Sequence, residues 1–109
     1  MKELKNNINK FKEVYKWDIH SFVYDSIFEG NTPAQVFVDD IENISTFLIW
    51  EGNCVYFGGE TDDTYKYKEA VNFFKENYLT DSRKKQLDIV KINYYPQVWE
   101  NEIWECGVQ

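Results

Sequence analysis

Three short strand-forming runs lie in close succession between Ala34 and Glu60, and they constrain the fold more than any other part of the chain. The runs are residues 36–38, 46–50 and 54–57, and each is rich in β-branched and aromatic residues. Turn-forming Asp, Asn and Gly residues separate them. Because connections this short join strands that run in opposite directions, the segment predicts an antiparallel meander.

Helical periodicity precedes the meander in two segments. The first covers residues 2–16, whose apolar positions are Leu4, Ile8, Phe11 and Tyr15. A second helix is predicted after Asp18, which can cap it, and it places His20 inside the helix. Gly30 suits a left-handed helix end and Pro33 cannot continue a helix, so the second helix is expected to stop there.

The chain after the meander predicts one long helix, one strand and one short helix. Residues 61–64 supply capping candidates for a helix that reaches about Leu79. Residues 87–95 form the strand, and a short helix over residues 98–104 ends near Cys106-Gly107. The prediction is a single domain, residues 1–109, of the mixed α/β (α+β) class. Its sheet is mainly antiparallel with helices on its faces, in the order α-α-β-β-β-α-β-α.

Charge and composition exclude several classes of protein. A formal net charge of −7 argues against a nucleic-acid binder, which needs cations to replace the counterions of the phosphates. The N-terminus has no apolar segment of the kind found in signal peptides, and no apolar run approaches membrane-spanning length. We therefore expect a cytoplasmic protein with neither nucleic acid nor membrane as a partner.

Carboxylates crowd the predicted loops between Trp17 and Tyr65, a stretch without Lys or Arg. We call one group of them the acidic rim: Asp39, Asp40, Glu42, Asp62 and Asp63. Such a rim could attract a polycationic amine, or it could simply keep the loops soluble. Its spacing lacks the pattern and glycine of a calcium loop, and no catalytic motif is present, so no metal ligand and no catalytic residue is predicted.

Tryptophans near the C-terminus predict an interface. Val98, Trp99, Ile103 and Trp104 carry more apolar surface than one face of a short helix can hide. Trp99 and Ile103 are expected to face the sheet, whereas Trp104 lies one step round the helix. Both Trp104 and Trp99 are candidate interface residues, since aromatic side chains are typical of interface centres. The alternative for Trp104 is that it folds back onto the core.

The predicted order of elements, together with the run from Glu29 onward, resembles the GNAT (Gcn5-related N-acetyltransferase) superfamily, in particular the zwittermicin A resistance type of bacterial acetyltransferase. Three stretches carry the resemblance: Glu29-Gly30-Asn31-Thr32-Pro33 leading to Val36-Phe37-Val38-Asp39-Asp40, then Asn43 with Thr46-Phe47-Leu48-Ile49-Trp50, then Tyr56-Phe57-Gly58-Gly59. Trp99, just after the predicted fourth strand, also fits. The similarity spans about residues 15 to 105 and its motifs are structural.

The resemblance implies a degenerate acetyltransferase-like domain, the N-terminal part of a protein more than twice this length. The superfamily's pyrophosphate loop, Arg/Gln-x-x-Gly-x-Gly/Ala, is absent, because Gly58-Gly59 is followed by Glu60 and two aspartates. Acetyl-coenzyme A would belong to the full-length protein, and no cofactor-binding residue is assigned to this chain. The implied partner is a C-terminal catalytic domain. The alternative is a stand-alone interaction module without enzymatic activity that pairs with a second copy.

Overall fold

The computed structural model describes residues 1–5, 8–30, 34–52, 54–79 and 91–105. The elements in chain order are β1 (Lys2–Glu3), α1 (Ile8–Tyr15), α2 (Ser21–Phe28), β2 (Gln35–Val38), β3 (Thr46–Glu51), β4 (Cys54–Gly59), α3 (Thr64–Phe73) with a π-helical continuation (Phe74–Leu79), β5 (Lys91–Tyr95) and α4 (Trp99–Glu105). The predicted Pro33 helix stop, the start of the predicted fourth strand (residues 87–90) and the predicted helix end at Cys106-Gly107 lie outside the described residues.

The five strands form one open sheet in the order β1-β2-β3-β4-β5. Neighbours are antiparallel from β1 to β4, which confirms the predicted meander. β5 instead runs parallel to β4, from the pair Cys54–Lys91 to the pair Gly58–Tyr95. A parallel neighbour needs a long crossover, and the segment containing α3 lies between these two strands. The predicted mixed, mainly antiparallel sheet is therefore confirmed.

Helices cover both faces of the sheet because the central strands are apolar on both sides. Leu48 and Ile49, adjacent in β3, are both fully buried, and they belong to different cores. The core beside α3 and α4 contains Phe37, Leu48, Val55, Phe57, Tyr67, Ala70, Val71, Phe74, Trp99 and Ile103. The core beside α1 and α2 contains Leu4, Phe11, Tyr15, Tyr24, Ile27, Val36, Val38, Phe47, Ile49 and Tyr56. Alternation along each strand produces this division, since successive side chains point to opposite faces.

Two of the predicted helix ends are confirmed. The Asp63 side chain caps α3 by accepting a hydrogen bond from the Tyr65 amide at 3.0 Å. Gly30 follows α2 with a φ of 82°, and its amide donates to the Ile27 carbonyl at 3.1 Å. The start of α2 differs from the prediction, which placed His20 inside the helix. Asp18 accepts the His20 amide at 2.8 Å in a turn before the helix, so His20 itself occupies the N-cap position.

The predicted order of elements is wrong at its beginning, where a strand precedes the first helix. Lys2 and Glu3 pair with Val38 and Phe37, and the next amide, that of Leu4, donates to the Val36 carbonyl at 2.7 Å. The helical periodicity of residues 2–16 therefore holds only from Ile8 onward. Two polar residues carry no strand pattern, so their pairing is a consequence of the exposed edge of β2. The observed order is β-α-α-β-β-β-α-β-α.

Replacing Leu48 by Asp is expected to unfold the domain. Leu48 is fully buried and lies opposite Phe37 and Phe57 on the neighbouring strands, so a carboxylate there would lose its hydration and gain no partner. The cost is comparable to the whole stability of a small domain. Circular dichroism and urea unfolding measure it, with Asn72→Asp on the exposed side of α3 as the control. A Leu48→Asp variant with unchanged spectrum and stability would contradict the central position of β3.

Candidate functional site

The acidic rim lies in two loops at one end of the sheet. β2 and β4 both run antiparallel to β3, so their C-terminal ends lie at the same end of the sheet. Asp39, Asp40 and Glu42 follow β2, while Asp62 and Asp63 follow β4. Asp39, Asp40 and Asp63 all lie near enough to the Lys66 ammonium group to raise its pKa, the largest contribution being its hydrogen bond to Asp39. The structure thus brings three of the five predicted carboxylates, those of Asp39, Asp40 and Asp63, close to a lysine that the sequence did not single out.

Asp39 is the buried member of the acidic rim and is fully hydrogen-bonded. One carboxylate oxygen accepts from Lys66 Nζ at 2.8 Å, and the other accepts from the Ser45 and Thr46 amides at 2.9 and 3.3 Å. Burial alone would raise the pKa of Asp39, but these three hydrogen bonds outweigh it and hold the pKa below its usual range. Asp39 therefore joins the β2–β3 loop to α3 and has a structural role.

The other rim carboxylates differ in how far they are engaged. Asp63 caps α3, and Asp40 accepts a hydrogen bond from the Glu42 amide at 2.9 Å. The side chains of Glu42 and Asp62 are exposed at the surface of the two loops. Asp40 and Asp63 are exposed as well, so Asp39, whose side chain is 2% exposed, is the one carboxylate of the acidic rim that is withdrawn from solvent.

A cleft of about 250 Å³ opens beside the rim, between α1 and the β2–β3 loop. Val14, Ile41 and Ile44 form apolar walls, and Glu13, Glu42 and Asn43 complete the lining. Glu13 also contacts Lys16 at 3.0 Å, but both side chains are more than half exposed, so this ion pair is weak and exchangeable. Two carboxylates beside an apolar wall suit a small cation that carries an aliphatic chain. The volume is below that of most small-molecule sites, which limits the ligand to a small one.

The connection from β4 to α3 is closed by side chains of the domain. The Trp99 indole donates to the Gly59 carbonyl at 3.0 Å, and the Tyr67 hydroxyl bridges both the amide and the carbonyl of Thr61 at 2.9 and 3.0 Å. A Cβ on Gly58 would overlap the Phe47 ring, and one on Gly59, whose φ is 88°, would overlap the Ser45 carbonyl. The two glycines are thus explained by close packing.

The single histidine lies against a buried carboxylate. His20 Nδ1 is 3.3 Å from Asp18 Oδ1, and the ring packs edge-on against Tyr56 at a centroid distance of 5.3 Å. Burial raises the pKa of Asp18, although the His20 amide and imidazole partly offset that effect. Burial likewise raises the pKa of Tyr24 and of Tyr56 beside it. This group packs at the edge of the core beside α1 and α2.

The two candidate interface tryptophans have opposite environments. Trp104 is 57% exposed, so it does not fold back onto the core of its own domain. Trp99 is fully buried between Tyr67 and Phe57, at centroid distances of 4.8 and 5.3 Å, which leaves it no side-chain surface for a partner. Three further exposed apolar side chains were not predicted, those of Trp17, Ile19 and Phe22. Ile19 and Phe22 fit the spacing of a buried helix face, and Trp17 lies just before that predicted helix.

Comparison of the chain with protein-family models, with curated proteins and with solved structures finds no match. The likeness to acetyltransferases accordingly rests on the residues quoted for it and stays a prediction. Among the described residues, no group of three or more His, Cys, Asp or Glu side chains could hold a metal ion. No helix in the described part of the chain is long and apolar enough to cross a membrane.

Removing the Asp39 charge is expected to lower stability and to flatten its acid dependence. Since the folded-state pKa lies below the usual value of about 3.9, Asp39 stabilises the fold fully above that pH. The contribution is lost as pH falls through the folded-state pKa. Asp39→Asn should cost about 1–3 kcal/mol at neutral pH, since the Lys66 ammonium loses its partner.

Urea unfolding between neutral pH and about pH 3 measures this effect. The wild-type chain should lose stability more steeply below about pH 4 than Asp39→Asn does. Asp62→Asn, at an exposed position of the same rim, is the matched control and should follow the wild-type curve. Superimposable curves for Asp39→Asn and the wild type would contradict the assigned role of Asp39.

Proposed function

We propose that this chain is a non-catalytic, acetyltransferase-like domain that shapes the acceptor side of a GNAT-family N-acetyltransferase and packs on a separate catalytic domain. The order of elements supports this proposal, because from α1 onward it is α-α-β-β-β-α-β-α, the predicted order on which the resemblance partly rests. The residues of the resemblance fall on successive parts of that arrangement. Residues 36–40 end β2, residues 46–50 lie in β3 and residues 56–59 end β4.

The state of the α3 N-terminus is the observation that carries the non-catalytic part of the proposal. A helix N-terminus binds a phosphate through free amides and a positive end of the helix dipole. Here the Asp63 carboxylate already occupies the Tyr65 amide, and the Thr61 amide is bound by the Tyr67 hydroxyl. Glu60 and Asp62 add further negative charge beside the same connection. A pyrophosphate would have to displace a carboxylate and approach two more.

The cleft beside α1 supports a role on the acceptor side of an acetyl transfer to an amine. An amine acceptor is cationic before it reacts, and Glu13 and Glu42 supply negative charge at the mouth of the cleft. Val14, Ile41 and Ile44 offer apolar contact for the carbon chain of such a ligand. The small volume suits the amine end of a longer substrate, the remainder of which would lie against the partner domain.

The alternative is a stand-alone interaction module that has the fold without the chemistry. Exposed apolar side chains favour this alternative, because the stability of an isolated domain does not require large apolar side chains at its surface. Trp104, in α4, is 57% exposed, Val98, just before α4, is 42% exposed, and Trp17 is 81% exposed on the α1–α2 connection. Either a catalytic domain or a second copy of the chain could cover Trp104.

The chain is expected not to bind acetyl-coenzyme A. Isothermal titration calorimetry at millimolar ligand should give no saturable heat, because the carboxylates after β4 repel the pyrophosphate. The matched variant Asp63→Ser retains a capping oxygen and removes one charge, so any weak affinity for inorganic pyrophosphate should increase in that variant. A micromolar dissociation constant for acetyl-coenzyme A with the wild-type chain would contradict the proposal.

A further inference from the structure

We propose that two copies of this chain pair through the outer edges of their β5 strands and so join their sheets into one. The two edges of the sheet differ in what they offer. β1 is only two residues long, whereas β5 extends over five residues, Lys91–Tyr95. Within the described ranges, the sheet ends at β5, whose hydrogen-bonded neighbour is β4 on one side alone. A strand edge of this length is a template for pairing with another chain.

The sequence of β5 is complementary to itself when two copies run antiparallel. A two-fold axis through Asn93 places Lys91 opposite Tyr95 of the second copy and Ile92 opposite Tyr94 of the second copy. Lys91 is the one charged residue of this strand, so no like charges meet across the axis. The lysine can instead lie over an aromatic ring, which is a favourable contact. A symmetric pairing of this kind closes on itself and yields a dimer rather than a filament.

The burial of β5 is that of a strand with one uncovered side. Ile92 and Tyr94 pack against the core beside α3 and α4, yet both are only partly buried. Tyr95, on the opposite face, is 37% exposed. Pairing would place the aliphatic Ile92 against an aromatic ring of the second copy on one face, and a Lys91–Tyr95 pair on the other. Cross-strand pairs of these types stabilise antiparallel sheets.

The self-complementary register favours a second copy over an acidic or basic peptide as the occupant, and the net charge of the chain predicts a salt dependence. In the two-fold register, Lys91 of each copy lies opposite Tyr95 of the other, so this favourable pair forms twice. An unrelated peptide need not carry residues that match Lys91 and Tyr95. The net charge of −7 on each copy opposes association at long range. Added salt screens that repulsion, and the pairing itself contains no ion pair between β5 strands. Association should therefore become tighter as ionic strength rises.

Sedimentation velocity across a dilution series tests the proposal with two variants of opposite charge. Asn93→Lys and Asn93→Glu each place like charges together at the axis, so each alone should weaken association by about tenfold or more. Both also remove the 3.4 Å hydrogen bond from Asn93 Nδ2 to the Val55 carbonyl, so recovery in a mixture is what separates the effect of charge from that loss. An equimolar mixture of the two variants should recover the dimer, because Lys and Glu then meet. Asn72→Lys and Asn72→Glu, on the exposed side of α3, are the matched controls and should associate like the wild type. Circular dichroism verifies that each Asn93 variant is folded.

Two outcomes overturn the proposal. The first is a wild-type chain that stays monomeric at all concentrations and ionic strengths. The second is a dimer that persists in both Asn93 variants but is lost in Trp104→Ala, which would locate the contact on α4. Neither outcome bears on the prediction that the chain does not bind acetyl-coenzyme A. A chain that did bind acetyl-coenzyme A could still pair through β5. The two proposals therefore fail independently.

Discussion

The hydrogen bond from the Trp99 indole to the Gly59 carbonyl fixes the C-terminal helix against the strand that leads into α3. It is 3.0 Å long and connects α4 to the end of β4. Trp99 is fully buried, and Tyr67 of α3 packs edge-on against it at 4.8 Å. The carbonyl is available because Gly59 turns the chain with a positive φ, in a space too small for a side chain. β4, α3 and α4 therefore meet around the Trp99 side chain, which contacts both of the other elements.

The functional proposal follows from what this junction does to the loop after β4. A connection that ends in a free helix N-terminus can bind phosphate. In this chain the Thr61 amide and the α3 cap are both occupied by side chains of the domain. The carboxylates at this end of the sheet are likewise divided between structure and surface. Asp39 forms an ion pair with Lys66, whereas Glu42 lies exposed at the surface beside the apolar cleft. Under the proposed function, a ligand would therefore bind beside α1 rather than at the N-terminus of α3.

The sequence predicted those elements whose pattern is local. The three central strands, a helix cap within residues 61–64 and the Gly30 helix end depend on residues close together in the chain, and all three are confirmed. β1 could not be predicted, because two polar residues become a strand only when Val38 and Phe37 present an edge. Lys66 was missed for a similar reason, since its partner Asp39 is 27 residues away.

The tryptophans show the same limit at the level of the candidate site. Helical spacing correctly predicts that Trp99 faces the sheet. It cannot predict that the indole nitrogen donates a hydrogen bond to Gly59, which lies 40 residues earlier in the chain. Apolar spacing also could not predict that Trp17 and Phe22 are exposed, because spacing does not show whether another element covers an apolar surface.

Amide hydrogen exchange in the Trp99→Phe variant tests the junction most directly. The substitution keeps a buried aromatic ring and removes the single donor to Gly59. The expected result is a loss of about 1–3 kcal/mol in stability, since the carbonyl is left without its partner, together with faster exchange of the Thr61 amide than in the wild-type chain. Wild-type stability and unchanged protection at Thr61 would contradict the view that Trp99 holds the β4–α3 connection closed.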